Sequence, residues 1–482
     1  MIVEQICPFC NGERVYRKTL PLLLAFSFVI ATMAGCASLP NPNINGEEDI
    51  LAGKVPKIAG PRGLLTISQS KAILAKVDAQ AGRTDILQQH VIYEEKMVGS
   101  PLSKGNKAIL LRDGPSTYAA MFKAIENAMH HINLETYIFE DDETGKQFTT
   151  LLIEKRKQGL QVNIIYDSVG SLNTGKEFFD ECKKVGIRVV EFNPVNPLNV
   201  KKSWSLNHRD HRKILVVDGA IAFTGGINIS EVYSSGSSGG SKFRPGNASR
   251  LPREQWRDTQ IQIEGPVVRE FQKIFLETWK HQHGDLLEEG AYFPEIKEKG
   301  SELVRAIASS PEMPLNPMYA TFISAITRAQ ETAYITNAYF APDPHTLAAI
   351  TDAARRGVDV KLILPNVTDS WLVFYAGHYH YTELLEAGVK IYERRDALLH
   401  AKTAVIDGVW STVGSTNLDW RSVVFNNEIN AVILGTNFAD EMEAMFQQDL
   451  IRSTEIELTK WKQRPFTSRF KEWISHLWER WL

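Results

Sequence analysis

One eight-residue pattern, His-x-Lys-x4-Asp, occurs twice in this chain. The first copy is His211, Lys213 and Asp218; the second is His400, Lys402 and Asp407. The agreement runs further. Gly226 and Ser415 each lie 15 residues after their histidine, and Asn228 and Asn417 each lie 17 after it. A lone His-x-Lys constrains little. Two copies with matching small-residue and Asn offsets require two halves that fold alike.

The flanking sequence repeats as well, and such a period is the first thing to settle in a fold assignment. KRKQGLQVNIIYD (155–167) matches AARRGVDVKLILP (353–365), and KKVGIRVVEF (183–192) matches LEAGVKIYER (385–394). Each reads as a helix end, a Gly stop and an apolar strand. LETYIFE (134–140) and ITNAYFA (335–341) read as the first strand of each half. Each motif opens a strand, Ile214 to Val217 and Thr403 to Ile406, that turns at Asp-Gly into another. Strands alternating with helices predict mixed α/β sheets flanked by helices. The expected architecture is two similar α/β domains, 107–290 and 302–453, in a pseudo-twofold arrangement around one shared site.

The two copies resemble the HKD motif of the phospholipase D superfamily. Within it, HRKILVVDGAIAFTGGINI, QWRDTQIQIEGPVV, NAYFAPD, ARRGVDVKLILP and GSTNLDWRS resemble bacterial cardiolipin synthases and their relatives. The resemblance runs from about Lys107 to about Leu450. It implies a phospholipase D-like fold and phosphatidyl transfer. A phosphatidyl group would pass between phospholipids through a phosphohistidine, with phosphatidylglycerol the expected substrate. Hydrolysis by a phospholipase D is the alternative, because only the acceptor reaching the phosphohistidine differs. A secreted HKD nuclease would use the same paired motifs. Net charge is −3 and no long Lys/Arg run occurs, which disfavours nucleic acid as partner.

The chemistry explains why these residue types come in pairs. A phosphodiester is anionic and repels nucleophiles. A neutral imidazole can attack phosphorus while a second, protonated imidazole supplies the leaving alcohol with a proton. Family precedent makes His211 the nucleophile and His400 the acid. Lys213 and Lys402 are expected to donate to the non-bridging oxygens, joined by Asn228 and Asn417. By analogy with oxyanion holes, each such donor contributes roughly 3–4 kcal/mol in the transition state. This chemistry calls for no metal or cofactor. The family also fixes each imidazole with a downstream acid: Glu428 in the second half, Asp258 in the first, with Glu264 as fallback. Asp218 and Asp407 complete the motif, where they are expected to support the strand turns and lysines. His208 reads as pocket lining or surface.

The ends of the chain carry different signals. Arg14, Arg17 and Lys18 precede an apolar run from Leu20 to Met33, followed by Ala34-Gly35-Cys36. Residues 1–35 therefore read as a signal peptide, with translation expected to start near Val15. Cys36 would be the lipidated first residue of the mature protein. The expected location is the periplasmic face of a membrane, the outer favoured over the inner. Cys7-Pro8-Phe9-Cys10 falls in the discarded part. Residues 36–106 read as a lipidated tether and N-terminal extension. Ser234 to Arg250 is Gly/Ser-rich and reads either as a mobile loop at the site's mouth or as a surface insertion. Residues 464–482 read as an amphipathic helix, with packing on the core favoured over contact with a membrane surface.

Overall fold

The computed structural model describes residues 54–82, 86–195, 207–234, 256–285, 287 and 292–482. Cys7, Cys10, Cys36 and most of the Gly/Ser-rich stretch lie outside the described residues.

In chain order the strands are β1 (Ile58–Gly60), β2 (Gly63–Leu64), β3 (Leu102–Leu111), β4 (His131–Thr136), β5 (Gln161–Asp167), β6 (Arg188–Phe192), β7 (Arg209–Asp210), β8 (Ile214–Val217), β9 (Ile221–Gly225), β10 (Trp256–Arg257) and β11 (Gln260–Glu264). They continue as β12 (Glu302–Ser309), β13 (Thr332–Asn337), β14 (Asp359–Pro365), β15 (Lys390–Arg394), β16 (Leu398–Leu399), β17 (Lys402–Ile406), β18 (Trp410–Gly414), β19 (Asn426–Leu434) and β20 (Ser453–Glu455).

The first half has strand order β6-β5-β4-β8-β9-β11-β3, and the second β15-β14-β13-β17-β18-β19-β12. In each, three parallel strands give way to antiparallel ones. The last strands of the two halves, β3 and β12, pair antiparallel and join the sheets edge to edge. Of the parallel strands, β5 and β14 are largely apolar and buried, as strands covered by crossover helices must be. Their feeding helices stop where Gly159, Gly186, Gly357 and Gly388 take positive φ, a conformation only glycine adopts without strain.

Two expectations need correction. The first strands begin and end about three residues earlier than read: the chain leaves the sheet after Thr136 and after Asn337. Beyond those points Phe139 bridges Ile229 and Phe340 bridges Leu418, so each stretch leaves the sheet to pair with the residue after its motif's Asn, and both phenylalanines are buried in the core. The extension before residue 107 is also more than a tether. Ile58, Ile86, Val91 and Tyr93 are buried in the second half's core. Glu94 forms a fully buried ion pair with Arg305 at 2.6 Å and accepts from Trp410 Nε1 at 3.1 Å. Breaking such a pair costs about 3–5 kcal/mol, so this segment is integral to the fold.

Candidate active site

Two short strand pairs build the centre. β7 runs parallel to the start of β19, with Arg209 opposite Asn426 and Asp210 opposite Asn427. The next residues along the two segments are His211 and Glu428. β10 runs parallel to β16, with Trp256 opposite Leu398 and Arg257 opposite Leu399. The next residues there are Asp258 and His400. Backbone bonds continue both registers, His211 N to Asn427 O at 3.0 Å and His400 N to Arg257 O at 2.8 Å.

The pairing of acids with histidines is therefore crossed, contrary to the expectation that each histidine is held by the acid downstream in its own half. His211 Nδ1 meets the Glu428 carboxylate at 2.9 and 3.0 Å. His400 Nδ1 meets Asp258 at 2.7 Å. Each imidazole is oriented by the other half of the chain, because a parallel ladder sets the next residues side by side. Glu264, at the end of β11, bonds Gln262 instead. With both Nδ1 atoms held by carboxylates, both Nε2 atoms remain for substrate.

The small residue 15 positions after each histidine serves its neighbouring acid. A Cβ at Gly226 would lie 2.2 Å from Asp258 Oδ1, so only glycine lets that carboxylate approach. At the matching place Ser415 Oγ donates to Glu428 at 2.5 Å, and Asn426 Nδ2 donates at 3.2 Å. Thr259 N donates to Asp258 at 2.7 Å.

Lys213 and Lys402 are buried, and each ammonium donates to the carbonyl of its own motif's histidine. Burial pushes the Lys213 ammonium down to about 7 and the Lys402 ammonium to about 8. Burial, then the charges of Lys213, Lys402 and His400, holds His211 well below the usual imidazole range. His400 is also lowered, by burial and Lys402, with Asp258 opposing. Burial raises Glu428 to about 7, against the pull of Lys213. These mutual effects place both motifs in one electrostatic unit, poised to receive an anion.

The other motif residues do different work. Asp218 and Asp407 belong to the turns and touch neither lysine. Asp218 accepts from the backbone N–H groups of Met129, His130 and His131, and Asp407 from those of Gln330, Glu331 and Thr332. Both have positive φ, 53° and 50°. They lie at the far ends of β8 and β17 from the histidines, so they support the turns as expected but not the lysines. Asn228 is engaged within the protein: its Oδ1 accepts from Ile138 N at 3.1 Å and its Nδ2 donates to Tyr233 Oη at 3.0 Å. Asn417 N donates to Ser422 Oγ at 3.3 Å; among the described residues nothing donates to its buried Oδ1. His208 Nε2 bonds Asn427 Oδ1 at 2.9 Å, beside the strand that carries Glu428.

Several cleft residues escaped the sequence reading. Tyr137 lies edge-on to His211 at 5.0 Å, and Tyr339 edge-on to His400 at 5.9 Å. Tyr233 Oη is 3.4 Å from His400 Nδ1, and the Trp256 ring is 5.1 Å from that imidazole. Arg421 contributes positive charge felt at His211. The aromatic residues after β4 and β13 were the available signal, but their alternation made them look like strand.

Duplicated α/β halves meeting on crossed His–carboxylate pairs with two buried lysines define the phospholipase D class of protein. Comparison with known proteins agrees. Residues 121–235 and 322–450 match the family model described as cardiolipin synthase, PLD-like domain. The cardiolipin synthase of Geobacillus thermodenitrificans (strain NG80-2) is 36% identical over 383 residues, covering 78% of this chain and 72% of that one. That of Geobacillus sp. (strain WCH70) is 37% identical over 384 residues, covering 78% and 73%. The fold is similar to the crystal structure of phosphatidylserine synthase from Haemophilus influenzae Rd KW20, with a TM-score of 0.58 and 12% identity, over 81% of this chain and 99% of that one. The chain belongs to the cardiolipin synthase family of PLD-like proteins.

Proposed function

We propose that the protein transfers a phosphatidyl group from one phosphatidylglycerol to a second, forming cardiolipin and releasing glycerol. The single observation that carries this reading is the crossed pair His211–Glu428 and His400–Asp258 within one electrostatic unit. In the first step His211 Nε2 bonds to phosphorus and the P–O bond to glycerol breaks. His400, protonated, gives its proton to that departing oxygen. In the second step a hydroxyl of the incoming phosphatidylglycerol attacks phosphorus, its proton passes to His400, and the P–N bond breaks. Lys213 and Lys402 hold the non-bridging oxygens throughout, and their charge offsets that developing in the transition state.

The assignment of roles follows family precedent, since burial and the lysines lower both imidazoles. The stronger lowering at His211 disfavours its charged form, as suits a nucleophile. His400 has Asp258 to support its protonated form. Relatives bearing the name cardiolipin synthase favour transfer over hydrolysis, as do buried histidines that limit water. The test is to incubate the protein with phosphatidylglycerol vesicles and separate the products. Cardiolipin with an equal amount of glycerol supports the reading; phosphatidic acid would replace it by hydrolysis.

We infer further that the protein is an exported lipoprotein anchored through Cys36, facing the periplasm at the outer membrane. The basic flank, the apolar run and Ala34-Gly35-Cys36 support this. Labelling cells with radioactive palmitate should mark the wild-type protein and fail to mark Cys36→Ser; label retained in that variant would refute the anchor.

A further inference from the structure

The helix Phe466–Leu477 is docked the wrong way round for a helix that covers a core. Its buried residues are Glu472 and Ser475, followed by Glu479 in the next turn. Its exposed residues include Phe466, Phe470, Trp473 and Leu477, at 78%, 49%, 50% and 60% exposure. These fall at helical spacing on one face, and the rings of Phe466, Phe470 and Trp473 follow one another at 6.4 and 6.1 Å. The attachment is polar: Glu479 accepts from His380 Nε2 at 3.1 Å and from His476 Nδ1, and Arg464 pairs with Glu472 at 2.7 Å. The spacing alone favours packing of the apolar stripe on the core; the structure half-buries Ile474, Trp478 and Trp481 and turns Phe466, Phe470, Trp473 and Leu477 outward.

The charges are sorted as strictly as the apolar groups. Between Phe466 and Leu482 both acidic side chains, Glu472 and Glu479, are buried against the body. The exposed charged side chains, Arg469, Lys471 and Arg480, are all basic. Aromatic rings with cationic neighbours and no exposed carboxylate suit the headgroup layer of an anionic bilayer. A contiguous exposed apolar face of this kind marks an interaction surface.

Its location links it to the cleft. The partner helix, Trp371–Glu386, begins with Trp371, 56% exposed and two residues after Asp369. Asp369 accepts from Tyr339 Oη at 2.7 Å, and Tyr339 packs on His400. At the other end Arg421 N donates to Leu482 O at 2.8 Å, and the Arg480 guanidinium lies over Trp420 at 5.7 Å. Both contacts fall just after the second motif's Asn417.

We propose that the face formed by Phe466, Phe470, Trp473 and Leu477, with Arg469, Lys471 and Arg480, seats on an anionic phospholipid surface and holds the cleft at the layer that contains its substrate. This rests on the phospholipid reading of the active site. The test uses the full chain with vesicles of phosphatidylcholine alone or mixed with phosphatidylglycerol, carrying brominated acyl chains that quench buried tryptophan. Mixed vesicles should quench the wild type more than Trp473→Phe, and Arg469→Glu/Lys471→Glu should lose the dependence on phosphatidylglycerol. Phe470→Ser/Trp473→Ser should lower turnover of vesicle lipid about tenfold while leaving turnover of monomeric short-chain phosphatidylglycerol unchanged. Equal quenching of the wild type and Trp473→Phe would overturn the proposal. Equal losses on vesicle and monomeric substrate would reduce the face to a structural role. A dimer in light scattering that Phe470→Ser/Trp473→Ser dissolves would assign it to a second copy of the chain. Quenching requires no turnover, so failure of the transferase reading stays separate from failure of this one.

Discussion

The two motif halves share a backbone plan yet support their histidines differently. His211 leans on a glutamate fixed by Ser415 and Asn426; His400 leans on a shorter aspartate that fits only because Gly226 has no side chain. Burial raises Glu428 to about 7. Asp258 takes a backbone N–H, and the Tyr233 hydroxyl lies 3.4 Å from the His400 Nδ1 that Asp258 holds. The duplicated site is thus chemically unequal in the carboxylate's length and its immediate donors. The ladder geometry that crosses the halves is kept.

The largest effect tests whether the inequality is one of role. His211→Ala and His400→Ala should each lower turnover by about five orders of magnitude or more, since groups acting as a unit fail together. They should separate on a substrate whose leaving group needs no proton. Phosphatidyl-p-nitrophenol should restore phosphoenzyme formation to His400→Ala and leave His211→Ala inactive. Restoration in both would erase the distinction.

Next come the acids. Glu428→Gln and Asp258→Asn should each lower kcat by about 10³–10⁴, the scale for a misoriented catalytic imidazole. The p-nitrophenyl substrate should rescue phosphoenzyme formation in Asp258→Asn and not in Glu428→Gln, because the crossed pairing ties Asp258 to the proton donor. The opposite pattern would return each acid to its own half.

The crossing shows what the sequence could and could not tell. The duplicated offsets, the helix–Gly–strand repeats and the choice of Glu428 and Asp258 could all be read from one chain. So could the place of Asp218 and Asp407 in turns. The partner of each acid could not, because it depends on two-residue strands, β7 and β10, too short for any periodicity. Nor could the inward side of the helix Phe466–Leu477: spacing shows a stripe, and only the buried Glu472 and Glu479 show that it faces out.

The residue 15 after each histidine offers a gentler probe. Gly226→Ser should lower activity about a hundredfold or more, since its Cβ would overlap Asp258. Ser415→Gly removes one hydrogen bond to Glu428 and should cost about tenfold. Equal losses in kcat/KM would deny the difference between the half-sites.

The smallest effect is on pH dependence. Glu428, raised to about 7, must be ionised to hold the Nδ1–H of His211, so kcat/KM should fall as pH drops through that value. Lys213 and Lys402, lowered to about 7 and 8, must be protonated to bind phosphate, so kcat/KM should also fall as pH rises through that range. The profile should be a narrow bell. Bound phosphate favours the charged lysines, so the alkaline limb of kcat should lie higher than that of kcat/KM.

The most direct measurement is the covalent intermediate itself. Rapid acid-free quenching after mixing with phosphatidyl-p-nitrophenol, followed by peptide mass spectrometry, should find the phosphatidyl adduct on His211, accumulating in Asp258→Asn and absent in Glu428→Gln. An adduct on His400, or turnover with no adduct on either histidine, would contradict the account.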